Sequence, residues 1–331
     1  MKMMGCSKKS REKKIVRGLC ALAAAAVLAG LSACGGVSEA DEAEKIRTGP
    51  VRVATTTTMV TDMVRDVGGE WVEVSGLMRP GVDPHLYKPS ASDVTTLTGA
   101  EVIFYSGLML EGRMSDLFAK MGRRGKQVYA VTETIAEERL LEPAEFQGHW
   151  DPHVWGDPLL WAETVDVVVK GLSDARPEKA EVFAERGEAV KQEYRDLHSW
   201  AVERVREIPE NGRIVVTSHD AFNYFGQAFG LQVIGVQGIS TVSEAGLADI
   251  AETADFIREN SLKAIFVESS VSPAAIQRIS KDSGARIGGE LFSDAMGMEG
   301  DIHTHGDDSY DVGTYPGMIK HNINTVVEAL K

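Results

Sequence analysis

The sequence predicts an α/β protein made of two four-stranded parallel-sheet (β/α) lobes joined by one long connecting helix. Three observations carry that expectation. Short β-branched runs alternate with helical stretches from Val51 to Val131, and again from Arg213 to Leu330. That order makes parallel sheets covered on both faces. Between the two series, Pro177 to Ile208 holds a single apolar stripe at helical spacing. The expected lobes are therefore residues 51–176 and 209–331, with the connecting helix at 177–208.

The chain begins differently. Lys8, Lys9, Arg11, Lys13, Lys14 and Arg17 precede an apolar, alanine-rich run from Leu19 to Leu31. This run is shorter than the roughly 20 residues a membrane-spanning helix needs, so residues 1–33 read as a secretory signal peptide. Its end, Leu31-Ser32-Ala33-Cys34, resembles a lipobox, in which Cys34 is lipidated and becomes the mature amino terminus. Cys6 and Cys20 fall in the removed segment, so the exported chain can form no internal disulfide. A metal site must then use nitrogen and oxygen. Residues 1–33 hold seven Lys/Arg and one Glu, and their removal takes the net charge from −14 to −20. An acidic surface argues against nucleic acid and anionic headgroups as partners and is compatible with drawing in cations. Residues 34–50, with the lipidated Cys34 at their start, are polar and small and read as a tether.

In the first lobe Val51 to Thr56 is a β-branched strand, followed by a helix to about Val67 that Gly68-Gly69 stops. Trp71 to Met78 alternates like a strand. A loop from Pro80 to Pro89 leads to Ser90, which can cap a helix through Leu97 to Gly99. Val102 to Tyr105 and Gln127 to Val131 complete the sheet. The stripe of the connecting helix is Phe183, Val190, Tyr194, Leu197, Ala201, Val205 and Ile208, and Gly187 is the one place where it could break in two. In the second lobe the strands are Arg213 to Ser218, Leu231 to Val236, Ala264 to Glu268 and Ala285 to Leu291. Helices are expected at Ser243 to Asn260 and from about Pro316 to Leu330.

Two stretches repeat one pattern: Asp83-Pro84-His85-Leu86-Tyr87 and Asp151-Pro152-His153-Val154-Trp155. Proline restricts its own φ and the residue before it, so each histidine follows a stiff elbow, and the aromatic two residues on can shield it from water. Ligands in open α/β sheets bind beyond the carboxyl ends of strands. His85, His219 and Asp294 each follow a strand, and His153 follows the fourth strand of its lobe after a long loop. Together they would offer one metal ion three imidazoles and one carboxylate, two donors from each lobe. His149 reads as a loop residue, and His198 as a solvated residue off the apolar stripe. His321 has no evident partner. The run His303-Thr304-His305-Gly306-Asp307-Asp308 reads as a loop with a compositional hint of weak metal capture.

The Asp-Pro-His pair, Thr217-Ser218-His219-Asp220-Ala221-Phe222-Asn223-Tyr224-Phe225 and Leu291-Phe292-Ser293-Asp294 resemble the metal-specific (zinc/manganese) solute-binding lipoproteins of bacterial ABC importers. The likeness runs over essentially the whole mature chain. It implies a metal buried between lobes with ligands at His85, His153, His219 and Asp294. It also implies delivery to a membrane permease and its ATPase by a monomer held outside the cytoplasm, in the periplasm or on the cell surface, by a lipid at Cys34. Manganese-binding members often carry Glu where His219 stands. Zinc importers often carry a His-rich loop after the first ligand, and Lys88 to Leu97 is not His-rich. Three nitrogens and one carboxylate lean toward Zn²⁺, with Mn²⁺ next. Two other functions, a metal-dependent hydrolase and a surface adhesin, would make different demands on the sequence. A metal-dependent hydrolase would need a general base and an open metal position, and neither His-Glu-x-x-His nor Gly-x-Ser-x-Gly occurs. A surface adhesin would need a macromolecular partner that no motif names.

Overall fold

The computed structural model describes residues 49–331. The expected signal peptide, the expected anchor Cys34 and nearly all of the expected tether lie outside the described residues. Pro50–Lys331 is one compact unit that contains both halves of the fold.

The first half is built on a parallel sheet. Its strands are β1 (Val51–Thr55), β2 (Val72–Gly76), β3 (Val102–Tyr105) and β4 (Gln127–Ala130), in the order β2-β1-β3-β4. Helix α1 (Thr58–Gly68) follows β1, with the Thr57 hydroxyl accepting from the Val60 N–H and Gly69 ending it at φ +54°. Helix α2 (Ala91–Gly99) starts at a reciprocal cap between Ser90 and Asp93. Helix α3 (Ser115–Arg123) lies between β3 and β4. Helix α4 (Pro158–Ala175), absent from the sequence expectations, has Asp157 as its cap and Pro158 at its first position.

Helix α5 (Ala180–Val205) is the expected connector, preceded by a 3₁₀ turn at Pro177–Lys179. Its 26 residues span about 39 Å without interruption. Gly187 does not break it. A Cβ there would lie 2.5 Å from Cγ2 of Val169, so the glycine lets α4 and α5 approach closely. Phe183, Val190, Tyr194, Leu197, Ala201 and Val205 are buried as the stripe requires.

The second half runs β5 (Ile214–His219), α6 (Asn223–Phe229), β6 (Gln232–Gln237), α7 (Leu247–Glu259), β7 (Ala264–Glu268), α8 (Ala274–Ser283) and β8 (Arg286–Leu291). The four strands were expected as one hydrogen-bonded sheet. Among the described residues β5 pairs in parallel with β6, and β7 with β8, while β5 and β7 lie side by side. The end of β5 is tied to β7 by a side chain: Glu268 accepts the backbone N–H of His219 at 2.8 Å. The His303–Asp308 run is a hairpin rather than a loop. Strands β9 (Ile302–His305) and β10 (Asp308–Asp311) pair antiparallel about Gly306, at φ +59°. Helix α9 (Tyr315–Leu330), capped by Thr314, ends the chain. Helices α1 and α4 of the first half and α9 of the second all pack on α5.

Candidate metal centre

Both Asp-Pro-His stretches fold as the same turn, and the aspartate makes it. Asp83 Oδ1 accepts the His85 N–H at 2.8 Å, and Asp151 Oδ1 accepts the His153 N–H at 2.9 Å. Each carboxylate therefore holds the backbone two residues on, a local bond Asp favours. The proline elbow explains only part of that rigidity. His219 is the last residue of β5, one position earlier relative to its strand than expected. Asp294 follows β8 across Phe292 and Ser293.

The four side chains meet. His85, His153, His219 and Asp294 are all buried, at 6%, 0%, 0% and 1% exposure. One donor atom from each lies within 4.8 Å of the other three. His85 Nε2 and His153 Nε2 are 3.3 Å apart. Asp294 Oδ1 is 3.4 Å from His153 Nε2, while Oδ2 is 3.3 Å from His219 Nε2 and 3.9 Å from His85 Nε2. Donors about 2.05 Å from a tetrahedral ion sit about 3.3 Å from each other, so most of these separations are edges of such a shell.

Hydrogen bonding decides which nitrogens face inward. His153 Nδ1 donates to Asp151 Oδ1 at 2.6 Å, and His219 Nδ1 donates to Glu268 Oε2 at 2.5 Å. Both rings then present Nε2, the arrangement in which a carboxylate behind the imidazole orients a metal ligand. Asn223 Nδ2 donates to Asp151 Oδ2, and Tyr224 donates its hydroxyl to the Asp151 carbonyl. His219 Nε2 and both carboxylate oxygens of Asp294 are buried without a hydrogen-bond partner. Left unpaired, such buried acceptors cost about 1–3 kcal/mol each, and either protons on the facing imidazoles or a cation among them satisfies all three.

The protonation balance has the same cause. Burial drives His85 down to about 3, so that ring is neutral. Burial acts the same way on His153, but the Asp151 and Asp294 carboxylates outweigh it and bring it up to about 9. His219 is likewise raised well above its ordinary value by Glu268 and Asp294 against burial. Burial opposes ionisation of Asp294, yet His219 and His153 hold it well below the ordinary carboxylate range. Positive charge is thus demanded inside the cluster, and a metal ion entering it displaces protons.

The chain matches the model of the ZnuA family, described as zinc-uptake complex component A, periplasmic, over residues 53–329. It belongs to the ZnuA family. The manganese-binding lipoprotein MntA of Bacillus subtilis is 42% identical over 306 residues, covering 91% of this chain and 95% of that protein. The zinc-binding protein TroA of Treponema pallidum is 43% identical over 285 residues, covering 84% and 88%. The solved structure of periplasmic zinc-binding TroA superposes with a TM-score of 0.80 at 41% identity, over 85% of this chain and 99% of that one.

Trp155 shields His153 as expected, ring to ring at 5.3 Å, and its Nε1 donates to the Ser293 carbonyl. Tyr87 turns its hydroxyl to Asp93 and the Leu77 carbonyl instead. His149 is exposed and apart from the cluster. His198 is half-buried against Phe229 rather than solvated. His321 has partners after all, in Phe292 and His303. Sequence reasoning missed Asp151 and Glu268 as supports. Glu268 ends an otherwise apolar strand at its carboxyl end, a position that marks it by the same rule that marked His219.

Proposed function

We propose that this chain is the extracytoplasmic solute-binding lipoprotein of an ABC importer. It captures one divalent transition metal, Zn²⁺ in preference to Mn²⁺, and hands it to a membrane permease driven by an ATPase. The proposed ligands are His85, His153, His219 and Asp294. The observation that carries this reading is the buried donor set itself: three Nε2 atoms and a carboxylate, with Asp294 and His219 left without any other partner. Three imidazoles favour zinc over the harder manganese. The relatives named above, one called manganese-binding and one zinc-binding, support the class of cargo. Four protein donors in a closed site leave no position for the water that a catalytic metal activates, which supports a carrier and not an enzyme. Residues 51–176, 177–208 and 209–331 act on this reading as metal-binding lobe, connector and second metal-binding lobe.

Among the described residues no helix is long and apolar enough to cross a membrane. Membrane attachment is assigned to a lipid on Cys34, on the lipobox-like Leu31-Ser32-Ala33-Cys34. The test is metal analysis of the full chain, cysteines alkylated, followed by zinc and manganese titration. Alanine at any one of the four ligands should weaken zinc binding by at least about 100-fold, or about 2.7 kcal/mol, with the fold retained. His149→Ala should not. Equal losses at His149 and His153 would overturn the ligand assignment. Cys34→Ser should release the protein from membranes without altering zinc affinity, and unchanged attachment would sink the anchor.

A further inference from the structure

A second pair of imidazoles faces each other where the β9–β10 hairpin meets α9. His303 Nδ1 lies 3.1 Å from His321 Nδ1. The far edges of the two rings decide what those nitrogens are. His321 Nε2 lies 2.9 Å from the Glu290 carbonyl oxygen, which can only accept, so Nε2 carries the proton. Thr325 Oγ1, 3.4 Å from the same nitrogen, can share that proton. His303 Nε2 lies 3.5 Å from Asp301 Oδ2, which draws the ring proton to that edge. With the ring protons on those far edges, each ring turns an Nδ1 lone pair toward the other. Two lone pairs at this distance repel unless a cation or a proton lies between them.

The spacing is that of a chelate. Two nitrogens about 2.05 Å from one ion are about 2.9 Å apart at a right angle and about 3.3 Å apart at the tetrahedral angle. A carbonyl behind one ring and a carboxylate behind the other are the supports that metal-bound imidazoles use. We propose that His303 and His321 form a second metal site, a two-imidazole clip for a divalent, imidazole-preferring ion such as Zn²⁺ or Cu²⁺. A groove of about 470 Å³, lined also by Glu290, Tyr310 and Asn324, leaves room for water to fill the remaining positions. His305 is not a member, because its Nε2 accepts from the Arg204 guanidinium at 2.7 Å. With two protein donors against four, the clip binds more weakly than the buried centre, and a hard ion such as Mn²⁺ is held least well.

The test is isothermal titration of the metal-free full chain with Zn²⁺, its cysteines alkylated. The wild type should take up two equivalents, the second at least about 100-fold weaker than the first. His303→Ala and His321→Ala should each abolish the weak equivalent and spare the tight one. His321→Ala also removes packing against Phe292, so His303→Gln, on the half-exposed hairpin, guards against misfolding. His305→Ala should keep both equivalents. The double variant His153→Ala/His219→Ala, which leaves the buried centre a single imidazole, should lose the tight equivalent and keep the weak one, which separates this site from the buried centre. Cu²⁺ added to His153→Ala/His219→Ala should show nitrogen hyperfine splitting from two imidazoles, and the splitting should vanish when His303→Gln is added. A wild type that binds one zinc overturns the proposal and leaves a proton shared between the rings. A weak equivalent that survives both histidine substitutions overturns it as well.

Discussion

Glu268→Gln tests how the buried centre prepares its ligands. Glu268 Oε1 accepts the His219 backbone N–H at 2.8 Å, and Oε2 accepts its Nδ1–H at 2.5 Å. A carboxylate satisfies two donors; an amide has one acceptor and one donor group. If the glutamine oxygen faces Nδ1, its NH₂ opposes the backbone N–H and a buried donor goes unpaired, at about 1–3 kcal/mol. If the NH₂ faces Nδ1, the ring proton moves to Nε2, the nitrogen that must bind metal. Both outcomes weaken binding, and the lost negative charge weakens it further. Zinc affinity should fall 10- to 100-fold, about 1.4–2.7 kcal/mol. The assay is competition against a zinc chelator at pH 7.5. Glu111→Gln is the control. Glu111 is equally buried and accepts from Thr56, Ser106 and Gly107, but touches none of the four donors. It should lower the melting temperature and leave affinity within about twofold. An unchanged affinity in Glu268→Gln, or an equal loss in Glu111→Gln, would refute the reasoning.

Asp62 gives a pH signature. Burial, with Asp66 beside it, pushes its carboxyl up from 3.8 to about 7, while Arg65 and the Tyr315 N–H act the other way. The folded chain holds this proton more tightly than the unfolded one, so stability is lost as pH rises from about 4 to about 7. Asp62→Asn keeps an acceptor for the Tyr315 N–H. It should add up to about 4 kcal/mol at pH 8 and much less at pH 5, and an equal gain at both would contradict this in thermal melts. Gly235 lies against the strand end that carries His219. A Cβ there would stand 2.5 Å from the Asp220 backbone nitrogen. Gly235→Ala should cost about 1–3 kcal/mol and weaken zinc binding, and a wild-type denaturation midpoint would disprove the close approach.

The meeting of His85, His153, His219 and Asp294 was legible in the sequence because each sits where strand topology delivers ligands, and because a rigid Asp-Pro-His turn recurs. What supports them was harder to see. Asp151 was read as half of an elbow, yet its carboxylate takes both the backbone N–H and the ring N–H of His153. Glu268 lies 49 positions from His219, and only the adjacency of β5 and β7 joins them. The β9–β10 hairpin hid for a different reason. Gly306-Asp307 is a two-residue turn signal, but His, Thr, Ser and Tyr flank it, with none of the apolar alternation that marks a half-buried strand. Helix α4 had both its cap and its proline in view, at Asp157-Pro158, but they begin only two positions past Trp155, where the His153 motif ends. Gly187 is the reverse case: local propensity suggested a break, and the approach of α4 removed it.

Hydrogen bonds tie the two halves together around the four donors. The Trp155 indole N–H donates to the Ser293 carbonyl at 2.9 Å, two residues past His153 and one before Asp294. The Met296 N–H donates to Thr58 Oγ1 at 2.9 Å, and the Tyr315 hydroxyl to the Trp155 carbonyl at 2.8 Å. These bonds hold His153 and Asp294 in register before any ion arrives, so little ordering is left to offset affinity. His85 is placed differently. It is the most exposed of the four, and a carboxylate orients its backbone but not its ring. Its loop is joined to the other half where Thr241 Oγ1 donates to Asp83 Oδ2 at 2.6 Å. Loss of metal should therefore start at His85, with the Asp83–Thr241 bond as the restraint. Thr241→Val removes that bond while keeping the side chain's shape. Zinc release into excess chelator, followed by stopped flow, should accelerate by about 10-fold for one buried charge-assisted bond of roughly 1.5 kcal/mol. A release rate equal to that of the wild type would place the first step of release elsewhere.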